Sequence, residues 1–532
     1  ESMNYGPTPP WFMLSADFET PLPILKIDTG GEHIPDEPKI DGQMGIIWHD
    51  DGTPNASSDL PNEFLGPIAI ERRGQTSLYL FPKNGYGFET RDENGEDVDV
   101  AFLNFPEEED WVLHGPYSDK TLLRNILAME LARSTGQYAS RTRMVELFIN
   151  EQYEGVYVLM ERIKRDNNRV DIANLREEDI SGDELTGGYV FKIDKGEHDW
   201  LSQYDIAYNP GAKLRFQYVS PRSDQIQPEQ EAYLQSYVDS FETALVLPDG
   251  TFGGKHYSEY IDVVSFADHF LISELTKEVD AYRISSFYHK DKDSKGGLLK
   301  AGPVWDFNLA FGNADYCNAA NYEGWMYSEH CDAGNPFWWE TMWQDDAFRD
   351  VLKCRWEEFR AGPFHLDTIF AFIDQQTALA APALERNFQR WPVLDQYIWP
   401  NAVVTGSYEQ EVLYVKNFIA GRIAWMDQNI PGDCTITDTV EATTVDEIKI
   451  YPNPARNYFS LESNAPLTGT LNIQLVDMLG KPIWVDQQYS NWQMGTSFLT
   501  IDLQKLNLAA GVYFVQLRSD NLRLKTCRLI VE

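Results

Sequence analysis

The chain has 532 residues and a mass of 61.0 kDa, a length that excludes a single small module. Hydrophobic residues make up 43% of the chain, which supports packed cores and excludes global disorder. The 44 Lys and Arg stand against 83 Asp and Glu, giving a net charge of −39. Such a polyanion repels phosphate backbones and anionic lipids, so we predict no nucleic-acid partner. We find no apolar run long enough for a transmembrane segment, and we expect a monomer.

The first third of the chain is predicted to consist mainly of short strands, because alternating stretches are separated by Gly and Pro. A helix is expected from Ser118-Asp119 to about Gly136. The segments RMVELFI and GVYVLME flank a polar turn at Asn150-Glu151 and predict a hairpin. A strand, GYVFKID, is predicted next at 188–194.

A second predicted helix spans about 265–278, with Ser265 and Asp268 as its capping pair. After it, Asp280 is followed by a strand, the turn DKDSKGG, a returning strand and then Asp306. Two acids are therefore predicted beside one hairpin. Paired carboxylates can hold Mg²⁺ against the phosphates of a nucleotide. Taken singly, an Asp in such an acidic chain is most often a solvated surface group or a helix cap.

Other catalytic and metal-binding patterns are missing from the sequence. The turn DKDSKGG resembles a calcium loop, but Lys295 occupies a ligand position and no Glu closes a twelve-residue loop, so we expect a plain turn. The absence of HExxH and GxSxG motifs argues against metalloprotease and α/β-hydrolase chemistry.

The five cysteines form no CxxC pair and no zinc-ligand cluster. Cys317 and Cys331 bound a polar loop, and a disulfide there would contribute about 3 kcal/mol. We predict this disulfide, and with it an oxidising compartment, against the alternative of two unpaired thiols. The pairing of Cys354, Cys434 and Cys527 stays open.

A domain boundary is predicted where the composition changes sharply. Residues 427–445 are acidic and Thr-rich with almost no large apolar side chain, as is typical of a linker. Residues 446–532 contain short alternating stretches between turn residues, which predicts a small β-sandwich. Upstream, one large α+β unit is expected.

Several motifs of this upstream unit resemble the spore-coat protein H (CotH) kinase family. They are RRGQTSLYLFPKNGYGFE (72–89), YSDKTLLRNILAMELAR (117–133), ELFINEQYEGVYVLMERI (146–163), VDAYR (279–283) and WDFNLAFG (305–312). The resemblance covers residues 22–426 and leaves 1–21 as an N-terminal extension. It implies an atypical protein-kinase-like, two-lobed fold that transfers phosphate from ATP to protein hydroxyls.

The resemblance also implies roles for individual residues. Asp306 matches the metal-binding acid, and Asp280 matches an acid that acts as catalytic base or metal ligand. Lys83 matches the lysine expected at the nucleotide phosphates. Glu161 and Arg124 match recurrent positions, with Glu161 expected near the nucleotide and Arg124 either there or fixing its helix to the core.

Two departures from the family pattern put catalysis in question. This chain has Asn308 as a metal ligand where many members carry a second acid, and Ser285-Ser286 where an Asn is usual. Asn and Ser still offer oxygen ligands, but each exchange weakens the hold on Mg²⁺. A catalytically inactive descendant is therefore the alternative.

The C-terminal segment resembles the type A sorting domain of the type IX secretion system of the Bacteroidetes group. YPNP, the central DMLGK and GVYFVQL occur in the order of that domain, here predicted as an Ig-like sandwich. The resemblance implies handling by the type IX secretion machinery and a secreted or surface-attached protein. The alternative is an ordinary accessory sandwich.

The combined prediction is a secreted atypical protein kinase. It would use ATP with Mg or Mn, and its partner would be an extracytoplasmic protein bearing Ser or Thr. The alternative is an inactive kinase-like fold that serves as an extracellular binding or adhesion module.

Overall fold

A computed structural model describes residues 17–206, 208–329, 331 and 334–434, and between 448 and 531 the strands of the C-terminal segment with a few adjoining residues. Residues 1–16 of the predicted N-terminal extension and 435–447, which hold most of the predicted linker, lie outside the described residues. The chain divides into two compact units, Glu1–Cys434 and Thr435–Glu532.

The first unit mixes strands and helices, in agreement with the predicted α+β class. Its strands are β1 (Glu19–Thr20), β2 (Ile24–Asp28), β3 (Ile40–Ile47), β4 (Asn55–Ala56), β5 (Phe64–Arg73), β6 (Gly85–Thr90), β7 (Asp110–His114), β8 (Thr142–Ile149), β9 (Gln152–Glu161), β10 (Tyr189–Ile193), β11 (Trp200–Ile206), β12 (Asn209–Ser220), β13 (Thr251–Phe252), β14 (Lys255–His256), β15 (Ser286–Lys290) and β16 (Leu299–Ala301). Its helices are α1 (Thr76–Leu80), α2 (Arg124–Ser134), α3 (Pro228–Val246), α4 (Val263–Thr276), α5 (Phe337–Gln344), α6 (Asp346–Arg360), α7 (Leu366–Arg390) and α8 (Tyr408–Asn429).

Strands of the first third, with β8 and β9, close into a barrel in the order β2-β3-β5-β6-β7-β9-β8. Neighbouring strands are antiparallel except β2 and β8, whose parallel pairing closes the barrel. Along β8, Val145 and Leu147 belong to the barrel core while Met144 belongs to the larger helical core. The barrel wall is therefore apolar on both faces here, which explains the unbroken apolar run in β9.

The predicted hairpin and the strand after it are confirmed. Asn150 and Glu151 both have positive φ, 49° and 64°, as a two-residue turn between β8 and β9 requires. The strand predicted at 188–194 is β10, which lies at the centre of a five-stranded antiparallel sheet, β11-β12-β10-β15-β16. The predicted hairpin around DKDSKGG is formed by β15 and β16.

Both predicted helices begin elsewhere than expected. Helix α2 begins at Arg124, because the Asp119 carboxylate accepts hydrogen bonds from the backbone of Thr121 and Arg124 and thereby forms a turn before the helix. Helix α4 begins at Val263, and its N-cap is Asp262, which accepts from the Ser265 amide at 3.0 Å. The predicted capping pair was wrong, since Asp268 instead forms a salt bridge with Arg355.

Two disulfides join segments of the first unit. The predicted Cys317–Cys331 bond is confirmed. A second bond, Cys354–Cys434, ties helix α6 to the residue at the end of this unit. Within the described residues, no helix is long and apolar enough to span a bilayer.

A buried ion pair connects helices α4 and α8. The Glu274 carboxylate accepts from the Arg422 guanidinium at 2.9 Å, and both side chains are fully buried. Glu274 also accepts from the backbone of Met326 and Tyr327, while Arg422 donates to the Gly324 carbonyl. The pair therefore fixes the 322–327 loop to both helices.

Replacing Glu274 by Ala should lower the free energy of unfolding by about 3–5 kcal/mol, because Arg422 would stay buried without its counter-charge. Urea unfolding would measure this loss. Glu357→Ala, which removes an exposed partner of Lys353, is the control and should cost less than about 0.5 kcal/mol. Equal losses in the two variants would contradict the structural role of the buried pair.

The second unit contains two antiparallel sheets, β17-β18-β21 and β20-β19-β22-β23. Its strands are β17 (Ile448–Tyr451), β18 (Tyr458–Ser463), β19 (Thr470–Val476), β20 (Pro482–Tyr489), β21 (Thr496–Asp502), β22 (Gly511–Ser519) and β23 (Leu522–Val531). Leu461 and Ile501 of the first sheet share one hydrophobic cluster with Ile473, Val515 and Leu529 of the second. An Ig-like arrangement of these strands stays a prediction.

Candidate functional site

A cleft of about 1040 Å³ lies within the first unit. Residues of the barrel strands β5, β6 and β7, of β10 and β12, and of the segment around the β15–β16 hairpin line it. Nine Lys or Arg and nine Asp or Glu are among the lining residues. Cationic and acidic side chains are therefore equal in number in the cleft, whereas acids outnumber cations in the chain as a whole. Cations that an anionic ligand needs are present there.

The two acids predicted from the sequence both line this cleft. Asp306 is open to solvent there and has a φ of 66°, a left-handed conformation that Asp tolerates better than most residues. Desolvation by the walls of the cleft, followed by the negative charge of Asp280, raises the pKa of Asp306 to about 6. The positive charge of nearby Arg73 opposes this shift. Two carboxylates that interact in this way favour a shared cation.

Asp280 is held by a neighbouring arginine. The Arg283 guanidinium donates to Asp280 Oδ1 at 2.9 Å and to the carbonyl of Cys331 at 3.4 Å. Asn308 and Ser285 also line the cleft. Ser286 does not, because its hydroxyl is buried and donates to the Ala281 carbonyl at 2.8 Å.

Lys83 is among the residues that line the cleft, but its ammonium donates to partners within the protein. Only 2% of the residue is exposed, and Nζ donates to the Val156 carbonyl at 2.7 Å and to Asn387 Oδ1 at 3.1 Å. Burial lowers the pKa of Lys83 to about 7. In this structure Lys83 therefore connects the barrel to helix α7.

The structure does not bring Glu161 or Arg124 to the cleft lining. Both side chains are buried: Glu161 accepts from the Arg141 guanidinium at 2.6 Å, and Arg124 pairs with Asp119 at 2.6 Å. Arg124 also donates to the Ala310 carbonyl, so it fixes helix α2 to the core. Met160 of β9 and Arg162, just after this strand, line the cleft, and Glu161 between them does not.

Two cations that the sequence analysis missed lie near Asp306. Arg73, at the end of β5, lies over the Trp305 ring at 5.6 Å, and Lys195, just after β10, donates to Thr76 Oγ1 at 2.9 Å. The charges of both act on Asp306. The RRG sequence before α1 offered a signal for Arg73, whereas Lys195 stands in no motif.

Two glycines of β6 shape the floor of the cleft. Gly85 pairs with Arg73 and Gly87 with Glu71, and all four line the cleft. A Cβ added at Gly87 would lie 3.4 Å from Glu71 Oε1 and 3.6 Å from Arg73 Cδ. The missing side chains therefore let a ligand approach the barrel wall between these charged groups.

A separate acidic group does not fit a metal. Asp99, Glu108 and Glu109 are the only three His, Cys, Asp or Glu side chains that come close enough together within the described part of the chain. Lys164 already pairs with Glu108 and Glu109, and Arg169 pairs with Glu108. Asp280 and Asp306, which line the cleft, could hold Mg²⁺, an ion that binds one or two carboxylates plus phosphate and water.

Comparison with protein families gives two matches in order along the chain. The CotH kinase protein family matches residues 70–426, and the secretion system C-terminal sorting domain matches residues 449–532. A search of curated proteins finds no match. The sorting domain indicates an exported protein that is secreted or attached to the cell surface. The match over 70–426 covers most of the chain, which therefore belongs to the CotH kinase family.

Proposed function

We propose that this protein is an exported kinase that transfers the γ-phosphate of ATP to Ser or Thr of an extracytoplasmic protein. The observation that carries the proposal is the cleft itself, in which Asp280 and Asp306 lie among cationic side chains. Phosphoryl transfer depends mainly on positioning and charge neutralisation, and this cleft offers groups for both. The type IX machinery would deliver the enzyme to its substrate.

The residues present fit a bound Mg or Mn ion. Asp306 and Asp280 would hold it through carboxylate oxygens, with Asn308 as a further oxygen ligand, and the ion would neutralise charge on the transferring phosphate. Asp280, placed by Arg283, is also the candidate to accept the proton of the substrate hydroxyl. If the domain has two lobes as protein kinases do, the barrel would form the lobe that covers the nucleotide.

The second candidate is an inactive kinase-like fold that binds a ligand in the same cleft. The pair Ser285-Ser286, where an Asn is usual, favours it, because only Ser285 lines the cleft and Ser286 is buried and donates to a backbone carbonyl. Low extracellular ATP also favours it. The two candidates differ in whether phosphate reaches a protein hydroxyl.

Binding of ATP with Mg²⁺ or Mn²⁺ tests the proposal first. At 100 times its Kd, the nucleotide should raise the free energy of unfolding by about 2.7 kcal/mol, measured as a thermal shift. Gly87→Val should abolish this shift, because the branched side chain suits a strand but fills the floor of the cleft. Gly87→Ala adds one carbon at ordinary contact distance and serves as the matched control.

Transfer of labelled phosphate to Ser-rich secreted proteins then separates the two candidates. A wild type that binds ATP and transfers no phosphate under either metal supports the binding module. A wild type that shows no thermal shift with any nucleotide and metal contradicts the kinase proposal.

A further inference from the structure

We infer that Arg73, together with Lys195, contacts the phosphates of the nucleotide, and that Lys83 does not. This inference rests on the proposed function and assigns the phosphate contact to two cations other than Lys83, the motif lysine expected at the phosphates. It concerns how the cleft recognises its ligand, because a polyphosphate requires cations whose donors are available.

The availability of donors distinguishes the three cations. The Lys83 ammonium is buried and donates to a carbonyl and to the Asn387 side chain. The Arg73 guanidinium makes no hydrogen bond within the described part of the chain and lies against the Trp305 ring, which leaves its planar fork open to an anion. Lys195 is exposed, and its bond to the Thr76 hydroxyl is one that a charged oxygen can replace.

The position of these two cations fits the two acids. Arg73, at the end of the barrel strand β5, and Lys195, just after the sheet strand β10, line the same cleft as Asp306. Both cations would therefore be available to the phosphate of a nucleotide bound in the cleft with Asp306. Gly87, where an added Cβ would lie 3.6 Å from Arg73 Cδ, adds no bulky side chain beside this guanidinium.

A phosphate series with one base tests the inference. Affinities of ATP, ADP, AMP and adenosine are measured with Mg²⁺ for the wild type, Arg73→Gln, Arg73→Lys, Lys195→Gln and Lys83→Met. Arg73→Gln should weaken ATP binding by about 10- to 100-fold and leave adenosine binding unchanged. Arg73→Lys should lose less, and Lys195→Gln, an exposed change that does not threaten the fold, should lose about tenfold for ATP only. Lys83→Met should keep the wild-type preference for ATP over adenosine in the folded fraction.

Arg176→Gln is the control for net charge, because this exposed side chain lies outside the cleft and pairs weakly with Glu178 at 3.9 Å. Its nucleotide affinities should equal those of the wild type. Two results overturn the inference alone: Arg73→Gln and Lys195→Gln that retain the full preference for ATP, or a folded Lys83→Met that loses it. A wild type that binds none of the four compounds overturns the kinase proposal and this inference with it.

Discussion

Replacing Asp306 by Asn should lower the rate of phosphoryl transfer by about a hundredfold to a thousandfold while the fold persists. The change removes the charge that, with Asp280, would hold the metal against the transferring phosphate. Asn is the better test than Ala, because Asp306 has a left-handed backbone conformation that Asn also tolerates and Ala does not. A loss of activity in the Asn variant therefore reports the missing charge and not a strained backbone.

The assay is transfer of labelled phosphate from ATP at saturating Mn²⁺ or Mg²⁺, with thermal unfolding measured in parallel. Asp374→Asn is the matched control, since this exposed carboxylate on helix α7 pairs with Lys416 outside the cleft. It should transfer phosphate at the wild-type rate. An Asp306→Asn variant that stays within a few-fold of the control would remove Asp306 from the reaction.

Asp280→Asn distinguishes the two roles that this acid can have. As a proton acceptor, Asp280 would be needed for transfer but not for nucleotide binding, so the variant would be inactive and still stabilised by ATP. If Asp280 is only a metal ligand, the variant would lose phosphoryl transfer and nucleotide binding together. The Arg283 contact to Oδ1 can persist with the amide oxygen of Asn, which keeps the side chain in place.

The sequence predicted local structure well where neighbouring residues decide it. The β8–β9 hairpin follows from its turn residues, and the Cys317–Cys331 bond follows from a polar loop bounded by two cysteines. It also predicted that Asp280 and Asp306 lie near one another, because both flank one hairpin. These features involve separations short enough for spacing alone to restrict the geometry.

The sequence could not predict contacts that depend on distant segments. Barrel closure pairs Ile24–Ile27 with Glu146–Ile149, and nothing in either strand specifies the other. The Lys83 ammonium is satisfied by Asn387, 304 residues away, so its motif alone gives no sign that the donor is already used. Glu161 differs from the cleft-lining Met160 only in the face of β9 on which it lies, and alternation does not say which face the cleft occupies.

Removing the Cys317–Cys331 disulfide should lower kinase activity by about tenfold to a hundredfold in the folded protein. Arg283 is the reason, because its guanidinium donates both to the Cys331 carbonyl and to Asp280 Oδ1. The same loop, between the two cysteines, also supplies the Asn321 carbonyl to the buried Lys277 ammonium. Loosening the loop would release Arg283 on one side and displace the acid that it positions.

The second disulfide provides the control, because the variant that loses more stability should not be the variant that loses activity. By loop length, losing Cys317–Cys331 costs about 3 kcal/mol of unfolding free energy, whereas losing Cys354–Cys434, with a sequence separation of 80, costs about 4.5 kcal/mol. Cys354→Ser/Cys434→Ser should therefore be the less stable variant and yet transfer phosphate at the wild-type rate when folded. Cys317→Ser/Cys331→Ser should be the more stable variant and the less active one.

Both double variants are compared at a temperature where unfolding measurements show each to be fully folded, with rates expressed per folded molecule. Activity that follows stability, or that falls equally in the two variants, would show that the disulfide acts on the fold alone. If activity falls only with Cys317–Cys331, the reduced enzyme inside the cell would be the less active form. Transfer would then reach its full rate only after export has brought the chain to an oxidising compartment where this bond forms.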